Sequence, residues 1–283
     1  MTPSSHTAFL PASTRLVVAD MDGTLLDGRG RVPDRLWSLL ERMTHAGVTF
    51  APASGRQYAT LAHMFDRASE GMVFVAENGA YVVRDGQELS SSGLGRDAVV
   101  AAVDTLRAFH DDGRADLGVV VCGKRSAYVE RGDRGFLDRA EPYYRELARV
   151  DDVLEVEDEI VKVAVFDFGD AVAGAAEALT SFRESHQVVV SGKHWVDLMG
   201  AGVNKGVAVR RLQERLGITR AETVVFGDYL NDLEMLDEAA GSFAVANAHP
   251  EVLERASFRA PSNLDHGVLT TIEELLEARV PHR

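Results

Sequence analysis

The chain has one cysteine, Cys122, in 283 residues. That excludes an intramolecular disulfide framework and a Cys-rich zinc site, and it reads as a small buried hydrophobe. Positive charge is also scarce: Lys and Arg number 30 against 44 Asp and Glu, for a formal charge of −14 and a pI near 5.1. Proteins that grip nucleic acid or an anionic membrane lean on basic surface, so neither partner is expected. No stretch approaches the ~20 apolar residues of a membrane span. Met1 to Arg15 lacks a basic segment followed by a long apolar run, so no signal peptide is expected and the cytoplasm is the expected address. The Pro and Ser clusters there read residues 1–14 as a loose tail. A Gly-rich Lys-Ser/Thr loop, a His-Glu-x-x-His helix and a Gly-x-Ser-x-Gly elbow are all missing, which removes three common enzyme classes.

What remains is ample for a core: 46% of residues are hydrophobic and 26% charged. Leu16-Val17-Val18-Ala19 is a short apolar run of the kind buried in parallel sheets, and it ends at Asp20-Met21-Asp22-Gly23. Leu36, Leu39, Leu40 and Met43 repeat at helical spacing up to Gly47. Val48-Thr49-Phe50 starts a strand that ends near Ser54-Gly55, and Met72–Val75 forms another. Such alternation predicts βαβ units around a parallel sheet. After Asn78-Gly79 the texture changes. Asp85-Gly86 predicts a hairpin, helices are expected near 96–109, 136–148 and 171–186, and a closing hairpin turns at Ser191-Gly192. From Asn204 the βα rhythm returns, with Thr223–Phe226 running into Gly227-Asp228. The fold class expected is α/β: a core in two parts, 1–83 and 194–283, interrupted by an α+β insertion over 84–193.

Ligands of open α/β sheets bind at the carboxyl ends of the strands. Asp20 and Asp22, Ser54, Asn204-Lys205, and Asp228 with Asn231 and Asp232 all fall at such ends. Asp20 and Asp22 are two carboxylates two residues apart, and close like charges call for a cation or a shared proton. Either suits Mg²⁺ ligation and acid–base work, although Asp-Gly is also ordinary turn chemistry. Asp228, Asn231 and Asp232 offer hard oxygens, and Asn231 or Asp232 also suits a helix N-cap. Ser54-Gly55-Arg56, at a strand-to-helix junction, could hold a phosphate oxygen through a hydroxyl and backbone N–H groups. Only four basic residues are lysines, and Lys205 opens a helix, where a cation opposes the macrodipole; that suits a charge aimed at an anion.

With these residues in view, the chain resembles the haloacid dehalogenase-like (HAD) phosphatases, in particular the Cof-type sugar-phosphatase branch. The matching pieces are Asp20-Met21-Asp22-Gly23-Thr24-Leu25-Leu26, Ser54-Gly55-Arg56, Asn78-Gly79-Ala80, Asn204-Lys205-Gly206 and Gly227-Asp228-Tyr229-Leu230-Asn231-Asp232, followed by Asn247-Ala248 and His266-Gly267-Val268. Ser54 stands where this branch commonly has Thr, with the hydroxyl kept. The resemblance implies a Rossmann-like HAD core with an inserted cap. It implies that Asp20 is the nucleophile and Asp22 the acid–base. Mg²⁺ would be held by Asp20, the main-chain carbonyl of Asp22, Asp228 and Asp232. Ser54, Gly55, Lys205 and Asn231 would bind the phosphoryl group, and Arg56 the rest of the substrate. The implied reaction is hydrolysis of a small phosphate ester such as a sugar phosphate. A phosphomutase and a non-catalytic HAD-fold binding or regulatory protein are the alternatives, and no oligomeric state is implied.

Overall fold

The computed structural model describes residues 13–278. The expected loose tail falls largely on residues 1–12, outside that range; Thr14, within it, is already buried. The chain divides into two compact units, one holding 13–54, 64–74 and 205–278, the other 55–63 and 75–204.

The first unit is built on strands of the larger sheet in the order Phe258–Ala260, Gly241–Val245, Thr223–Gly227, Leu16–Asp20, Thr49–Ala53. Leu16–Asp20 pairs in parallel with both neighbours, Leu16 lying level with Thr223 and Thr49, and Asp20 level with Ala53. These central strands are buried along their whole length, as the unbroken apolar runs predict. The helix Arg35–His45 buries Leu36, Leu39, Leu40 and Met43, its predicted stripe. Parallel register brings the carboxyl ends of Leu16–Asp20, Thr49–Ala53 and Thr223–Gly227 to one edge, and the polar motifs follow directly from it.

The second unit has a six-stranded sheet in the order His186–Gly192, Trp195–Gly200, Ile160–Asp167, Leu117–Gly123, Ala127–Val129, Leu147–Arg149. Its pairs are antiparallel except the last. The helix Arg96–Asp111 packs Val99, Val103 and Leu106 against one face, with Val163, Val165 and Leu198. Phe136 and Ala140 cover the other face together with Val120, Ala164 and the buried Cys122. The hairpin at Asp85-Gly86 forms as expected, both residues having positive φ.

Three expectations change. The helix expected over 136–148 ends at Ala140, because Pro142 forbids its continuation. The one expected over 171–186 is two short pieces, Ala175–Ala178 and Thr180–Glu184. The unit boundaries also differ from 84 and 193. Trp195–Gly200 pairs with two strands of the second sheet, which carries that unit to 204. Residues 55–63 belong there too, since Gln57 exchanges hydrogen bonds with Glu146, and Thr60 Oγ1 donates to Tyr143 O at 2.9 Å. Among the described residues no helix is long and apolar enough to cross a membrane.

Candidate active site

The site of the first unit starts where the buried strand Leu16–Asp20 runs out. Residues Met21–Leu25 form one wide turn, closed by the Leu26 N–H donating to Met21 O at 2.9 Å. Gly23 sits in it at φ +81°, and a Cβ there would overlap the Asp228 carboxylate, so both backbone and space demand glycine. The turn is fastened from elsewhere in the same unit: Asn247 Nδ2 donates to Gly23 O at 2.8 Å, and Asn263 Nδ2 to Leu26 O at 2.9 Å.

Lys205, first residue of the helix Lys205–Leu216, is completely buried. Its ammonium donates to Asp20 Oδ1 at 2.5 Å and to Asp232 Oδ1 at 2.7 Å. Asp232 is equally buried, and its other oxygen accepts from the N–H groups of Asp228 (3.0 Å) and Tyr229 (3.2 Å). Asp228 is anchored by Thr24 Oγ1, which donates to Oδ1 at 2.8 Å. Asp20, Asp228 and Asp232 each present an oxygen within 4.8 Å of the others.

Three carboxylates thus face one ammonium. Burial pushes the Asp20 carboxyl well above its usual range, and Asp232 adds repulsion that Lys205 only partly offsets. Burial, reinforced by Asp232, pushes Asp228 up to about 7. Burial works against the Lys205 charge, yet Asp20 and Asp232 outweigh it and raise its pKa. Uncompensated negative charge on converging hard oxygens fits a hard divalent cation such as Mg²⁺.

The structure gathers Asp20, Lys205, Asp228 and Asp232 into one contact group, as their positions at strand ends predict. Asp22, half-buried, stands beside it in the turn, its carboxylate outside the three-oxygen group. Ser54, buried, follows Ala53, the residue level with Asp20. Asn231 lies half-buried in the turn Leu230–Asp232. Gly55 and Arg56 belong to the second unit, where the Arg56 guanidinium donates to Pro142 O and lies 4.5 Å from the Tyr143 ring centroid.

Sequence reasoning assigned no role to Thr24, Asn247 or Asn263. Thr24 and Asn247 lie inside quoted motifs, so the signal for them was present; Asn263 has none.

A family profile described as haloacid dehalogenase-like hydrolase matches residues 17–272. The chain is 35% identical over 272 residues to the 5-amino-6-(5-phospho-D-ribitylamino)uracil phosphatase YbjI of Escherichia coli (strain K12), covering 95% of this chain and 98% of that protein. It superimposes on the crystal structure of SMU.1108c from Streptococcus mutans UA159 with a TM-score of 0.83, at 25% identity, over 93% of this chain and 99% of the other. A haloacid dehalogenase-like hydrolase from B. subtilis has the same fold, with a TM-score of 0.80 at 21% identity over 92% and 99% of the two chains. The chain therefore belongs to the haloacid dehalogenase-like hydrolases, and within them it is a phosphatase.

Proposed function

We propose that the chain is a Mg²⁺-dependent phosphatase that hydrolyses a small phosphomonoester through an aspartyl-phosphate on Asp20. The observation that carries this reading is the buried Lys205 joined to Asp20 and Asp232, with Asp228 completing a three-carboxylate group. Asp20, Asp228 and Asp232, with the main-chain carbonyl of Asp22, are the groups that would hold Mg²⁺. When bound, the ion supplies positive charge beside the phosphoryl oxygens.

An Asp20 carboxylate oxygen attacks phosphorus in line as the ester oxygen leaves, taking a proton from Asp22. Water then attacks the phosphorus, Asp22 accepts its proton, and the bond to Asp20 breaks to release phosphate. Lys205 fixes the nucleophile and offers fixed positive charge where the transition state gathers negative charge. Ser54, the Gly55–Arg56 backbone and Asn231 complete the phosphoryl cradle, the Arg56 side chain contacts the rest of the substrate, and the second unit corresponds to the inserted cap.

The substrate class we infer is a sugar or polyol phosphate. The relative of 35% identity is named for a ribityl phosphate ester, which falls in that class.

The test is a phosphate-release screen over sugar and polyol phosphates, with Mg²⁺ and with EDTA, on the wild type and Asp20→Asn. Release that needs Mg²⁺ and falls at least ~10⁴-fold in Asp20→Asn is expected. Full turnover with EDTA sinks the metal, turnover by the variant sinks the nucleophile, and an isomeric sugar phosphate in place of free phosphate makes the enzyme a mutase.

A further inference from the structure

The second unit holds another buried lysine, to which the mechanism above gives no part. Lys162, in the strand Ile160–Asp167, is 1% exposed. Its ammonium lies 2.7 Å from Glu77 Oε2 and 3.6 Å from Asp197 Oδ1. It also donates to a main-chain atom, the Gly55 carbonyl oxygen, at 2.7 Å. The second Asp197 oxygen accepts from Asn78 Nδ2 at 2.6 Å, and the Glu77 N–H donates to Arg56 O at 3.1 Å. Two successive carbonyls, Gly55 and Arg56, are therefore each held by a member of this cluster.

The arrangement is costly. Buried ion pairs repay their desolvation poorly compared with packed apolar side chains. Glu77 and Asn78, consecutive and neither of them glycine, adopt φ of +51° and +54°. Glu77 Oε1 is buried with no hydrogen-bond partner among the described residues. The peptide plane shows what this expense achieves. A trans peptide directs its N–H opposite to its C=O, so holding the Gly55 carbonyl sets the direction of the Arg56 N–H. A cation on the carbonyl also polarises the peptide and makes that N–H a stronger donor to an anion.

We propose that Lys162 is a positioning residue: clamped by Glu77 and Asp197, it holds the Gly55–Arg56 peptide in the orientation that receives a phosphate oxygen. This rests on the reading of Ser54-Gly55-Arg56 as part of the phosphoryl cradle.

Inorganic phosphate, as a competitive inhibitor of p-nitrophenyl phosphate turnover under saturating Mg²⁺, is the probe. Lys162→Met strands two buried carboxylates, so Lys162→Met/Glu77→Gln is measured beside it. The inhibition constant and KM should each rise about tenfold, while kcat changes less. Phe136→Leu loosens the core of the same unit and serves as the stability control. A wild-type inhibition constant in the double variant overturns the proposal, as does an equal rise in Phe136→Leu at matched loss of Tm. In the wild-type chain, phosphate added with Mg²⁺ should shift the Arg56 amide resonance; an unmoved resonance overturns the proposal even where neither variant folds. Ser54→Ala separates the two ideas. If its phosphate inhibition is unchanged, the cradle reading falls. If it is weakened there but not in the double variant, only the role of Lys162 falls.

Discussion

Each unit buries a lysine between two carboxylates, and the two clusters differ in what surrounds that shared motif. Around Lys205 a third carboxylate, Asp228, converges on the same space, leaving three carboxylates against one ammonium. Around Lys162 the surplus is smaller, two carboxylates to one ammonium, and the neighbours are an amide donor on Asp197 and the Gly55 carbonyl. Desolvation is costly in both places. In the first the unspent charge fits a metal ion; in the second the donors are spent on holding backbone. Composition alone does not separate the proposed reaction centre from the proposed clamp. The balance of charge and the identity of the next neighbours do.

Replacing each lysine by methionine is the strongest way to break this contrast. Each substitution leaves buried carboxylates unpaired, a loss of about 3–5 kcal/mol in either unit. Activity should divide them. Lys205→Met should lower kcat by about 10²–10³, as removal of a fixed donor at the reacting group does elsewhere. Lys162→Met should leave most of kcat intact. Urea unfolding and initial rates measure both effects, and comparable kcat losses in the two variants would erase the distinction between centre and clamp.

Metal and pH sharpen it at an intermediate scale. Asp20 and Asp228 carry pKa values raised above those of an unfolded chain, Asp228 to about 7. In metal-free protein these two groups therefore hold more protons in the folded state than in the unfolded one between the ordinary carboxyl range and about 7. The stability they contribute is greatest below the unfolded pKa and is lost as pH rises through that window. Glu77 is raised in the same direction, chiefly by burial, so its contribution also falls with rising pH. The proposed Mg²⁺ would relieve the first cluster alone. The rise in Tm on adding Mg²⁺ should be larger at pH 8 than at pH 5, with a Glu77→Gln variant showing the same difference. An equal Mg²⁺ shift at both pH values would break the assignment of the ion to the Asp20 group.

The two clusters also differ in how much of them could be read from the sequence. Asp20 and Asp228 each end an apolar run, and Lys205 stands out because the chain uses arginine almost everywhere else. Local pattern and parallel register together place these groups at one edge. The Lys162 cluster joins residues from 55 to 197, through antiparallel pairing that no local periodicity encodes. Its lysine is as rare as Lys205, which was the available signal. The return of 55–63 to the second unit was hidden for a similar reason, since Gln57 and Thr60 find their partners more than eighty residues away. Pro142, by contrast, was a visible stop inside the helix expected over 136–148.

The smallest effect tests how rigidly the reaction centre holds its third carboxylate. Thr24 Oγ1 donates to Asp228 Oδ1 and so orients that carboxylate beside Gly23, where no side chain fits. Thr24→Val keeps the shape and removes the donor, leaving Asp228 with one less hydrogen bond to its charged form. A hydrogen bond to a charged group is worth about 1.5–3 kcal/mol, and bound Mg²⁺ would restrain the same oxygens and mask part of that loss. The concentration of Mg²⁺ giving half-maximal activity should therefore rise several-fold, while the rate at saturating Mg²⁺ stays within about threefold of wild type. Loss of the saturating rate, with no change in Mg²⁺ demand, would place Thr24 with the phosphoryl-binding groups and not with those that orient the metal's ligands.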